Sequence, residues 1–404
     1  MNPQKFVNPF FIFFLIVPFG ISSGFVSIAL PYQLIQNGFS VGQTATIVAV
    51  GASASMLRFV FGPIVDTTLS LRKWYIISLL ASIGALLVLA TTPFTIKGLT
   101  LLTIIVFISQ IASNFLFLPV SGFMAKSIEE RRKGLASGCL QGGMLLGTGA
   151  GGGAGLWLLT HYGSGVSGII MCAISVALGA AVFLIPDLKS SIEQKIQKEM
   201  LALGTSLFAM LKVPVVLFII ILILAPIGSG GASNLWSAVA QDWKTDANTV
   251  ALVTGVLNGL MGFFGCLAGG LIVDRWGVWV SYFVFGALCA LVTFLMALLP
   301  MQPLFFIIGV SVYAFCLGLS CAGFTAIILF ATGKKHAATK YSLISSLGNL
   351  PVVLMIAFDG FTHDKFNSRY MLIGEAAIGL LFVLIFFFSL QKMRNKNLIL
   401  DVIE

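Results

Sequence analysis

The sequence predicts an all-α membrane protein of about twelve transmembrane helices, arranged as two six-helix bundles related by a pseudo-two-fold axis along the membrane normal. Three observations lead there. With 58% hydrophobic residues, 9% charged residues and a mean hydropathy of +1.04, the 404-residue chain cannot cover itself with a soluble surface. Pro18, Gly20, Gln33, Gly51, Gly62 and Asp66 recur at one constant offset as Pro226, Gly228, Gln241, Gly259, Gly270 and Asp274. A unit repeated in parallel is the mark of a chain built from two like halves. Finally, the cations are lopsided. With a cytoplasmic N-terminus, eighteen of the twenty-three Lys and Arg fall on the cytoplasmic side, Lys97, Lys244, Lys365 and Arg369 fall outside, and Arg58 lies within a helix. That bias places both termini in the cytoplasm.

Taken in order, the apolar runs place helices near residues 8–36, 43–66, 74–93, 99–126, 134–159, 166–186, 213–242, 247–273, 278–299, 303–332, 340–359 and 370–391. Lys5 and the apolar stretch after it resemble a signal peptide, but the run continues to Gln36 without a small-residue cleavage site, so it reads as a retained first helix. Pro18, Pro31, Pro119, Pro226 and Pro351 are expected kink points. Residues 1–186 form the N-terminal bundle, 187–212 a charged cytoplasmic linker, and 213–404 the C-terminal bundle with a short tail. The six cysteines fall in helices and read as packing residues. Trp74, Trp157 and Trp243 read as membrane-interface anchors.

Composition and motif content exclude several function classes. The formal charge of +9 is accounted for by topology, so the expected partners are the lipid bilayer and a small-molecule cargo rather than nucleic acid, with the chain acting as a monomer. Gly147, Gly149 and Gly152 match a dinucleotide fingerprint only formally, because the run lies inside a helix where small residues serve close packing. No phosphate-loop sequence and no clustered nucleophile occur, so neither an enzyme nor a cofactor is expected. His161, His336 and His363 are placed in separate loops without ligand spacing, which predicts no metal site.

After the second helix the chain reads Gly62-Pro63-Ile64-Val65-Asp66 and then Arg72-Lys73; after the eighth it reads Gly270-Leu271-Ile272-Val273-Asp274-Arg275. These loops resemble the signature loop of the major facilitator superfamily. The resemblance implies a cytoplasmic gate in which the small residue admits close helix approach while the acid and cations latch the opposite half.

A narrower resemblance runs through Leu57-Arg58-Phe59-Val60-Phe61-Gly62-Pro63-Ile64-Val65-Asp66, Gly20-Ile21-Ser22-Ser23-Gly24 and residues 129–138. These segments are similar to AmpG-type muropeptide permeases and acetyl-CoA transporters, a group that includes siderophore importers. The likeness implies a bacterial-type inner (plasma) membrane and a proton-coupled importer of an anionic or polar organic solute. Exporters of drugs or siderophores and a non-transporting sensor are the rival readings. Unlike AmpG-type proteins, residues 110–126 carry no acid.

Candidate binding residues follow from polarity within apolar helices. Arg58 lies eight positions before Asp66, about 12 Å deeper at the helical rise. An intramembrane guanidinium faces either an anionic cargo group or an internal partner. Ser22, Ser23, Tyr32, Gln33, Gln110, Asn114 and Gln141 in the first half, with Asn234, Trp236, Asn258 and Asn349 in the second, line a cavity or tie helices together. Asp359 and Glu375 are the candidate proton carriers, each placed near a helix end.

Overall fold

The computed structural model describes residues 7–58, 60, 61, 65, 68–93, 98–128, 133–185, 214–332 and 343–395. Among these, nine helices are long and apolar enough to cross a membrane. They are α1 (Phe10–Gln36), α3 (Leu71–Thr91), α4 (Leu99–Ser127), α6 (Ser164–Leu184), α8 (Ala247–Trp276), α9 (Val278–Leu298), α10 (Pro303–Thr332), α11 (Leu343–Lys365) and α12 (Ser368–Asn395). The shorter α2 (Val41–Leu57), the glycine-rich α5 (133–162) and the first segment of α7 (Pro214–Ile223) complete the set of twelve. The predicted linker lies outside the described residues.

Local sequence explains the helix ends. Ser40 starts α2 with a capping box: its hydroxyl accepts from the Gln43 N–H at 3.1 Å, and its own N–H donates to Gln43 Oε1 at 3.0 Å. Asp246 caps α8 through the N–H of Asn248 at 3.1 Å. Gly163 and Gly277, with φ of 84° and 82°, make the abrupt turns from α5 to α6 and from α8 to α9.

The two halves repeat their packing. Within the first, α2 and α3 pack on α4 and α3 packs on α6; within the second, the corresponding α8 and α9 pack on α10 and α9 packs on α12. Between halves, α2 packs on α11 and α5 on α8. Exchanging the halves turns the first crossing into the second, as a two-fold relation requires. Helix association in lipid rests on close packing rather than on hydrophobic driving force. The crossings accordingly use small residues: a Cβ on Gly360 would stand 2.2 Å from the Ala45 Cβ, and one on Gly153 would stand 3.1 Å from the Gly255 Cα. Leu235 joins Ala45, Val48, Ala49 and Ile356 in a buried apolar cluster that also spans both halves. Residues 36–50, 150–155, 235–257 and 356–368 thus gather at one end, here termed the closed end.

Several expectations need correction. The predicted continuous helix over 213–242 is broken: α7 stops at Ile223 and resumes as short turns over Ala232–Trp243. Pro226 supplies no N–H, and Gly228 and Gly230 adopt φ of 59° and 74°, which no helix continues through. Its repeat partner Pro18 sits inside an unbroken helix, so the same proline yields two outcomes. The α11 helix runs six residues past its predicted end, carrying Asp359 into the protein interior. His161 and His363 lie in the last turns of α5 and α11, not in loops, and His336 falls outside the described residues. Trp243 is no interface anchor; it is 1% exposed and packs 5.7 Å from the Phe306 ring.

Candidate functional site

The first half contains a buried polar seam. Arg58 caps the end of α2, directly after Leu57, and its Nε and Nη2 donate to Asn114 Oδ1 on α4 at 3.0 and 2.6 Å. Its guanidinium carbon stands 4.2 Å from the Phe117 ring centroid and 5.6 Å from that of Phe19, so aromatic faces supply further solvation. Among the described residues no carboxylate lies within ion-pair distance of it. Asn114 Nδ2 donates to the Gln110 carbonyl at 2.8 Å, and Gln110 Nε2 reaches the Ser22 carbonyl of α1 at 3.5 Å. The seam continues from Ser22 through Ser113 to Ser82, with oxygen separations of 2.6 and 3.0 Å. Sequence reading missed Ser113 and Ser82, although Ser113 lies one turn from Gln110 on the same helix face.

The second half contains two buried acids. Asp359 on α11 is 0% exposed and both its carboxylate oxygens lack a hydrogen-bond partner. Glu375 on α12 is 8% exposed; its Oε1 accepts from the Tyr313 hydroxyl at 2.8 Å, while Oε2 has no partner. Both meet the break in α7, where a Cβ on Gly231 would stand 2.7 Å from Asp359 Oδ2. Among the described residues no cation lies within 4.0 Å of either acid. Tyr313 was not anticipated, since a lone tyrosine in an apolar helix carries no periodic signal.

Other predicted residues disperse. Trp236 is 1% exposed, wedged against Tyr313 at 5.3 Å and Phe306 at 6.5 Å. Tyr32 is buried near the closed end and Gln33 is half-buried there, while Ser23, next to Ser22 of the seam, is half-buried. Asn234 donates to the Gly230 carbonyl at 3.2 Å, holding the α7 break, and Asn349 donates back to Ser345 at 3.2 Å. Asn258 is half-buried with an unpartnered Oδ1, and Gln141 is exposed. The polar residues therefore form two separate clusters and several local helix braces, not one continuous ring.

At the gate positions, Asp274 and Arg275 are exposed, and neither makes a hydrogen bond or ion pair among the described residues. Gly270 would meet no atom within 4 Å if given a Cβ. Arg72 donates instead to the Ile185 carbonyl at the end of α6, a cation against a helix C-terminus, and Lys73 is exposed. Gly62 and Asp66 lie outside the described residues.

The closed end carries a latch that the sequence did not reveal. Asp242 Oδ2 accepts from Ser368 and from His363 Nε2, the latter at 2.8 Å. Asp364, beside His363, accepts from the hydroxyl of Ser40 across the two halves. Partial burial opposes the Asp242 charge, but the bonds from His363 and Ser368 outweigh it and hold the carboxyl below its ordinary range.

The family model of the Major Facilitator Superfamily matches residues 12–355. The chain belongs to this superfamily. It is therefore a membrane transport protein rather than an enzyme. Solved structures agree with this fold at low identity. The nucleoside transporter NupG is 12% identical with a TM-score of 0.72, over 94% of this chain and 98% of that one. A POT family transporter in complex with 5-aminolevulinic acid is 13% identical with a TM-score of 0.71, over 97% and 98%. A D-xylose-proton symporter is 12% identical with a TM-score of 0.71, over 94% and 96%. No curated protein sequence matches the chain.

Proposed function

We propose that this superfamily member is a proton-coupled importer of an anionic or polar organic solute, working by alternating access in a bacterial-type inner membrane. The observation that carries the reading is the pair Asp359 and Glu375, buried in a membrane helix bundle with three carboxylate oxygens that have no partner among the described residues. Burying an ionised carboxylate without a partner costs several kcal/mol, so such a pair is held with a proton and releases it when water reaches it. The D-xylose-proton symporter supplies a precedent for proton coupling on this fold.

The cation asymmetry of the sequence assigns the closed end to the outside, since Lys244, Lys365 and Arg369 lie there while Lys73 and Arg275 lie opposite. The state described is then inward-facing, and Asp274 and Arg275, which pair with none of the described residues, fit a released cytoplasmic latch. Arg58 anchors the anionic group of the cargo, reached from the cytoplasmic side and oriented by Asn114. Muropeptides and acyl-CoA-like solutes present such a group as carboxylate or phosphate, and carboxylate or catecholate siderophores present one too.

Reconstitution tests the reading. Proteoliposomes with an imposed proton gradient should accumulate the solute that stabilises the purified protein in a thermal-shift screen of muropeptides, siderophores, acyl-CoA compounds and dipeptides. Solute accumulation that ignores the proton gradient removes the coupling assignment. Binding without any flux would favour a sensor.

A further inference from the structure

The break in α7 leaves backbone oxygens that the bundle does not use. Among the described residues, the carbonyls of Pro226, Ile227, Gly228 and Ser229 accept no hydrogen bond. In the interior of a membrane protein, such groups persist only where they line a wet cavity or hold a ligand. A cavity of about 10 Å³ does lie there, its polar lining made by Ser229, Thr293, Tyr313, Glu375 and the backbone of Pro226 and Gly228, with small residues such as Cys289 and Ala290 closing the rest. Its volume suits one water-sized occupant.

The lining fixes the occupant's charge. Glu375 contributes an oxygen, Oε2, that is buried and unpartnered among the described residues, while the Tyr313 hydroxyl donates to the other oxygen of the same carboxylate. No basic side chain lies on the cavity. Carboxylate, hydroxyl and carbonyl oxygens around a space for one small particle are the donor set of a hard cation. The first segment of α7 also ends at this break, directing the negative pole of its dipole there. A single carboxylate favours a monovalent ion over a divalent one.

We infer that this cavity is a Na⁺ site, with Glu375 as its charged ligand and the carbonyls of the α7 break, Ser229 and Tyr313 as its neutral ones. The inference builds on the reading of Glu375 as a coupling carboxylate and divides the labour of the pair: Na⁺ at Glu375, the proton at Asp359. Bound Na⁺ ties α7 to α10 and α12. Because Trp236 packs on Tyr313 and the segment carrying it touches α1 and α2, the ion strengthens closure between the halves.

Thermal unfolding of the purified full-length protein, without cargo or gradient, tests this separately from transport. The midpoint should rise saturably by a few degrees in NaCl and stay flat in KCl or choline chloride of equal ionic strength. Glu375→Gln should remove the shift. Ser229→Ala removes one neutral ligand at little structural cost and should raise the half-saturating Na⁺ concentration about five- to tenfold. If Glu375→Gln does not fold, the Ser229→Ala titration decides. Equal midpoints in NaCl and choline chloride overturn the site, as does a Na⁺ shift unchanged by the substitutions; either result leaves proton coupling through Asp359 standing.

Discussion

Gly153 of α5 and Gly255 of α8 cross with their backbones in contact: a Cβ on Gly255 would stand 2.6 Å from the Cα of Gly153, and one on Gly153 would stand 2.7 Å from the Ala251 carbonyl oxygen. The contact joins the two halves, and its symmetry counterpart is the approach of Gly360 to Ala45. Closure at this end is therefore set first by shape, with polar latches added at its rim.

Gly255→Val should force this crossing apart. Overpacking at such a contact costs about 1–3 kcal/mol, which shifts a two-state equilibrium by roughly five- to 150-fold. Val48, 2% exposed in the cluster shared by both halves, reports the change once replaced by cysteine. Its labelling by a membrane-impermeant maleimide should accelerate at least about fivefold in the Gly255→Val background. Equal rates would show that the glycine crossing does not govern closure.

The Asp242 latch gives the closed end a defined acid sensitivity. Its folded carboxyl titrates below the ordinary value of 3.8, so its stabilisation is complete above that value and disappears as pH falls through the lower folded one. Acid unfolding of the native protein should carry this component, and Asp242→Asn should lack it. Since the side chain is 39% exposed, the loss should be modest and diminish in high salt. Identical acid profiles for both proteins would contradict the assignment.

Arg58 and Asn114 should behave as one unit. Asn114→Ala leaves the guanidinium without its oxygen acceptor and should cost about 1.5–3 kcal/mol, read by thermal unfolding. Arg58→Ala should abolish uptake, and Arg58→Lys should restore only part, because an ammonium provides neither the two-pronged bond to Asn114 nor the same stacking on Phe117. An Arg58→Ala protein that folds and transports at the native rate would exclude the residue from cargo binding.

Asp359→Asn should separate movement from coupling. The amide keeps the volume and removes the titrating group, so exchange of solute across the membrane at equal concentrations should continue while accumulation driven by a proton gradient stops. Retained accumulation would place the coupling proton elsewhere.

The sequence alone determined the features that depend on composition and period. Apolar length specified the spans, the recurrence of Gly62 and Asp66 as Gly270 and Asp274 specified two like halves, and the sparse intramembrane charges singled out Arg58, Asp359 and Glu375. Each follows from what lipid demands of a single segment. What a charge touches depends on residues distant in the chain, and only the tertiary structure decided it. Arg58 meets Asn114 across 56 positions and Tyr313 meets Glu375 across 62, while Asp242 gains His363 across 121. The fates of Pro18 and Pro226 show the same division. Both lack the amide hydrogen, yet α1 stays helical where Gly20 and Gly24 press its backbone against α5, and α7 breaks where Gly228 and Gly230 take positive φ beside two buried acids. A proline signals that a helix can yield; the packing around it decides whether it does.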